Sequence, residues 1–152
     1  MAERANGETK NQLDTIYSMF MESRIINDKI EVIRRDDQIY VYKAINDCTL
    51  DIETAEAMAK AGDEWNGTEL CANLVDMRDM LYVDSKVRDF GAAQYRPHVA
   101  GSALLIESVF GKYFANLFMK LSKPKVPTKL FTKEEDAIAW LKEQMAKRKI
   151  SG

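Results

Sequence analysis

The stretch Leu70-Cys71-Ala72-Asn73-Leu74-Val75 decides the fold. It is a short apolar run, preceded by the turn signal Asn66-Gly67 and followed by Asp76. That length and composition suit a strand buried on both faces of a sheet. A second run, Val99 to Ile106, has the same character. Buried strands separated by helical patterns argue for a mainly parallel sheet covered by helices.

The neighbouring segments extend this reading. Upstream, Ile30 and Val32 alternate with Glu31, and Ile39 and Val41 alternate with Tyr40 and Tyr42. With Asp36 and Asp37 in the polar turn, this predicts a hairpin with strands near 29–35 and 38–44. Thr49 or Asp51 can cap a helix in which Ile52, Ala55, Ala59, Gly62 and Trp65 recur at helical spacing. Its small residues allow close packing on a sheet, and Asn66-Gly67 ends it. Asp84-Ser85 can cap a second helix over about 86–95, which Pro97 ends. Ser108 can cap a third over about 109–121. Thr128 to Phe131 reads as a last short strand. Thr132 with Glu135 forms a capping box for a final helix, whose buried face is Ile138, Leu141 and Met145, flanked by Ala137. The fold class is therefore α/β: a mixed sheet of about five strands with an opening hairpin, and about four helices.

We expect residues 1–14 as a disordered tail and 15–28 as an N-terminal extension. Leu13, Ile16, Tyr17 and Phe20 fit one face of a short helix, or a frayed lead-in. A single domain over 29–148 and a tail over 149–152 complete the division. With 152 residues the chain can bury a core without staples. It is 46% hydrophobic and 30% charged, with a net charge of −2. That balance lacks the basic excess of a nucleic-acid binder. The polar start and the short apolar runs predict neither a signal peptide nor a transmembrane segment. Cys48 and Cys71 lack CxxC spacing and read as reduced thiols, so a cytoplasmic setting is expected.

Three stretches carry a family resemblance. They are Leu74-Val75-Asp76-Met77-Arg78, the run Phe114 to Leu121 continuing through Lys123-Pro124-Lys125-Val126-Pro127 to Thr132, and Glu134 to Leu141. From about Ile25 to Met145 the chain resembles the STAS/SEC14-like group of small bacterial single-domain proteins, whose STAS members include the anti-sigma-factor antagonists. The resemblance implies a STAS-like sheet and a regulatory or interaction role without catalysis. It also implies that Ser85, following Asp84, is a phosphoacceptor. Where the family continues with a small residue and glycine, this chain has Lys86 and Val87. The SEC14-like half implies a small-molecule or lipid carrier instead, with an apolar cavity beneath the second and third helices.

The candidate residues each have a plainer reading. Asp84 or Ser85 can serve only as an N-cap. On the third helix Val109, Phe110, Tyr113, Phe114, Leu117, Phe118 and Leu121 cover about half the circumference, wider than the usual stripe of a little over ~100°. Either the helix is deeply packed, or the edge Phe110, Phe114, Leu117, Phe118 and Leu121 meets a ligand, a partner or a second copy, making a homodimer. Asp76, Arg78 and Asp79 follow a strand where open α/β sheets bind ligands. An Asp-Arg ion pair with turn capping is the plainer reading, since nothing nearby supplies a nucleophile or a clear third ligand. Late lysines (Lys112, Lys120, Lys123, Lys125, Lys129, Lys133) can form a basic patch for an acidic partner or lipid head group, or simply a solvated surface. The single histidine, His98, cannot build a multi-histidine metal site. Gly111-Lys112 lacks the upstream glycine of a P-loop, and Gly101-Ser102 lacks the second glycine of a nucleophile elbow. Neither catalytic residue, metal nor cofactor is expected.

Overall fold

A computed structural model describes residues 22–107, 113, 119–120 and 123–151. Among these the strands are β1 (Glu22–Ile26), β2 (Ile30–Arg34), β3 (Ile39–Ala44), β4 (Cys48–Leu50), β5 (Cys71–Asp76), β6 (Met80–Val83), β7 (Val99–Leu105) and β8 (Thr128–Phe131). The helices are α1 (Ile52–Asn66), α2 (Ser85–Ala93) and α3 (Glu134–Ser151). A six-stranded sheet has the order β1-β2-β3-β5-β7-β8. Its first three strands pair antiparallel, and β3, β5, β7 and β8 pair parallel. β4 and β6 form a separate parallel pair, each lying between a sheet strand and the helix that follows it.

The expected mixed α/β sheet is present, with short strands added. Part of the extension expected at 15–28 is strand β1, so over Glu22–Ile26 it is not a helix. The reason is the tight turn behind it. Asn27 and Asp28 both adopt positive φ, 51° and 56°, in the three-residue connection Asn27–Lys29, where Lys29 N–H donates to the Ile26 carbonyl at 2.9 Å. Residues 149–151, expected as a tail, continue α3. The tail at 1–14, the short helix at Leu13–Phe20 and the hydrophobic face Phe110, Phe114, Leu117, Phe118 and Leu121 lie outside the described residues.

Period-two alternation divides the core into two clusters. On one face of the sheet Ile39, Val41, Ala72, Leu74, Ala103 and Leu105 pack against Ala137, Leu141 and Met145 of α3. Those three helical residues recur every fourth position, one stripe on the helix. Behind β7, a Cβ on Gly101 would sit 3.2 Å from two ring carbons of Trp140, so the missing side chain makes room for the indole. On the other face Tyr40, Tyr42, Cys71 and Val99 belong to the cluster beneath α1 and α2. Asp51 caps α1 by accepting from Thr54 N–H, and Gly67, at φ 62°, closes its C-terminus.

A register irregularity between Cys71 and Asn73 positions the second face. Cys71 pairs with Val99, yet Asn73 pairs with Ser102. The extra residue on β7 brings both Val99 and Ser102 to the α1–α2 side.

Candidate functional site

The α1–α2 face is not filled. A cavity of about 840 Å³ lies between the sheet and these helices. Its floor includes Tyr40, Tyr42, Asn73, Val75, Ser102 and Leu104. Its roof includes Ala55, Met58, Ala59 and Gly62 of α1, and Val87, Arg88, Phe90 and Gly91 of α2. Leu50 of β4 and the whole of β6 form a wall, with Leu81 and Tyr82 largely exposed there. The small residues of α1 make the roof close. A Cβ on Gly62 would stand 2.7 Å from the Tyr42 hydroxyl oxygen.

Polar groups border this mostly apolar space. The Tyr40 hydroxyl and the Asn66 side-chain oxygen are buried without hydrogen-bond partners among the described residues. Buried polar atoms are normally satisfied by protein or by ordered water or ligand; both oxygens belong to residues that line the cavity, but are themselves closed off from its open volume. Burial pushes the Tyr42 phenol well above its ordinary range and the Cys71 thiol up to about 11. Both groups therefore stay protonated at neutral pH. Cys48 is also buried and pushed up, and neither cysteine forms a disulfide.

Of three arginines lining the cavity, two are engaged. Arg96 binds Asp63 of α1 through its guanidinium. Arg78 binds Asp76 with two side-chain hydrogen bonds, Nε to Oδ1 at 2.9 Å and Nη2 to Oδ2 at 2.7 Å, and its backbone N–H adds a third at 3.1 Å. Arg78 also lies 3.9 Å from Glu134. Burial raises the Asp76 pKa, but the Arg78 bonds outweigh it and hold the carboxyl below its ordinary value. Arg88, half-buried on α2, has no acidic partner among the described residues.

The sequence candidates are thus dispersed. Asp76 and Arg78 meet as an ion pair, while Asp79 is exposed beside them. Asp84 caps α2 by accepting from Lys86 N–H at 2.8 Å, and Ser85 is exposed as the first helical residue. His98 is half-buried, lines the cavity, and accepts the Cys71 N–H through its backbone carbonyl at 3.0 Å. No group of His, Cys, Asp and Glu suited to a metal ion occurs among the described residues. Sequence reasoning missed Tyr40, Asn73, Ser102 and Arg88 as cavity residues. Asn73 and Ser102 carried a usable signal: each is a polar side chain inside an otherwise apolar strand.

The sequence model of a family described as Domain of unknown function (DUF7793) matches residues 32–145. The chain belongs to that family. The matched span includes α1, α2 and every sheet strand except β1 and the start of β2. No curated protein matches this DUF7793 chain. Among solved structures, it is similar to an uncharacterised protein of the DUF3478 family from Shewanella loihica PV-4, described as having a SpoIIAA-like fold. The two are 12% identical over 80% of this chain and 91% of the other, with a TM-score of 0.49. A protein of unknown function from Arthrobacter sp. FB24 is 25% identical over 72% of this chain and 90% of its own, with a TM-score of 0.29. Among the described residues of the DUF7793 chain, no helix is long and apolar enough to cross a membrane.

Proposed function

We propose that this chain is a non-enzymatic, STAS-like binding module that holds a small amphipathic molecule between the sheet and α1–α2. The carrying observation is the cavity of about 840 Å³. Ligand sites run from about 300 to 1,000 Å³ and combine apolar walls with a few polar groups. A non-catalytic role is supported by the state of the lining side chains. The thiol of Cys71 and the phenol of Tyr42 are held protonated by burial, and Asp76 is engaged by Arg78. Two buried free thiols also suit a reducing, cytoplasmic setting. Regulation then runs through occupancy: a filled cavity fixes α2 and the β4–β6 wall and alters the surface offered to a protein partner or a second copy. Ser85, exposed beside the same wall, is the position we assign to any phosphate-dependent control.

Native mass spectrometry of the purified full chain tests this reading, because it reports bound mass and copy number together. The expected result is a stoichiometric extra mass that is lost on denaturation, or its reappearance when an apolar fluorescent probe is added. A bare polypeptide that takes up no probe would overturn the proposal. A dimer in the same spectrum supports the homodimer, and monomer alone at tens of micromolar removes it.

A further inference from the structure

We infer that the cavity selects amphiphiles with one anionic head, a carboxylate or a phosphate, and that Arg88 holds this head. The inference rests on the binding role proposed above and adds the chemical class of the ligand.

Charge accounting leads to it. A half-buried guanidinium loses hydration, and an acidic partner normally compensates that loss. Arg78 has Asp76, and Arg96 has Asp63. Arg88 has neither, although it lines the same cavity. The one acid among the described lining residues, Glu107, is exposed and forms no ion pair with Arg88. Among the described residues the cavity therefore presents one guanidinium whose five donors are not committed to a carboxylate. A planar fork of this kind binds carboxylate or phosphate through paired hydrogen bonds.

The position of Arg88 orients the ligand. It lies in the first turns of α2, which begins where β6 ends. This is the edge at the C-terminal ends of the parallel strands, where open α/β sheets take their ligands. The opposite end is different. Asn66 is the last residue of α1, and Tyr40 is near the start of β3. Both are neutral there, and Arg96 beside them is already neutralised by Asp63. Between the two ends Met58, Val75, Val87, Phe90 and Leu104 supply apolar lining. An anionic head at Arg88 with an alkyl body along the sheet matches this arrangement, and the reverse orientation leaves the charge without a free partner.

Isothermal titration of the full chain with decanoate, decyl phosphate and decan-1-ol tests the assignment, using wild type and Arg88→Gln. Wild type should bind at least one of the two anions about tenfold or more tighter than the alcohol. Arg88→Gln should bind that anion no better than the alcohol, while its alcohol affinity stays within about twofold of wild type and so reports an intact cavity. Preference for only one anion identifies the head as carboxylate or phosphate. Equal binding of all three by wild type, or an anion preference that survives in Arg88→Gln, would overturn the role of Arg88 while leaving the cavity reading intact. Binding of none of the three would overturn both.

Discussion

The two faces of the sheet are made from alternate residues of the same strands, yet they are built to opposite ends. Toward α3, the strands present Ile39, Val41, Ala72, Leu74, Ala103 and Leu105, and the helix answers with Ala137, Leu141 and Met145. All are apolar and closely packed. Toward α1 and α2, the neighbouring positions are Tyr40, Tyr42, Cys71, Asn73, Ser102 and Leu104, around open volume. Period two lets one short strand serve both purposes. The first face supplies cohesion, and the second gives up packing for a lined space.

Truncations on the two faces should therefore differ in cost. Leu141→Ala removes a fully buried side chain from the α3 face and should destabilise by about 2–5 kcal/mol in urea unfolding. Val75→Ala removes atoms that already border the cavity, and should cost less than about 1.5 kcal/mol. Equal costs would break the contrast between the faces.

The Asp76–Arg78 pair gives the next largest effect, at the sheet edge between them. Asp76→Asn should cost about 1–3 kcal/mol at neutral pH, since it weakens a charged, hydrogen-bonded pair at a buried carboxyl. The folded-state pKa of Asp76 is lowered from an ordinary value of 3.8. Its contribution is thus complete only above about pH 5, declines as pH falls through 3.8, and is lost below the lower folded value. Unfolding midpoints measured from pH 7 down to pH 2 should fall less steeply for Asp76→Asn than for wild type. Parallel curves would contradict the pairing.

Gly101→Ala should have the smallest effect, about 1 kcal/mol of destabilisation, as Trp140 yields a few tenths of an ångström to the new methyl. The indole is held by Phe131, whose ring centre is 5.7 Å away. A change in the fluorescence of the protein with little change in ligand binding would assign this glycine to the cohesive face.

The sequence revealed the cohesive face more readily than the open one. The runs at 70–75 and 99–106, the hairpin and the helices at 52–66 and 85–93 follow from periodicity and caps, because those signals are local. β1 escaped notice because its turn uses Asn27 and Asp28 at positive φ, a conformation that no hydrophobic pattern reports. β4 and β6 are too short to show a period. The shift that turns Ser102 toward the helices depends on how β5 and β7 pair, which is a tertiary fact. Arg88 gives no local signal, because a single charge on a helix does not report its partners. Only the assembled carboxylates reveal that, among the described residues, Arg78 and Arg96 are engaged with acids and Arg88 is not.

The most direct test is to fill the cavity. Ala59→Phe places a ring from α1 into the space above the sheet. Titration with decanoate should then show binding weakened at least tenfold, with a thermal midpoint equal to or above that of wild type. Undiminished binding in a stable Ala59→Phe protein would contradict a ligand site between the sheet and its two helices.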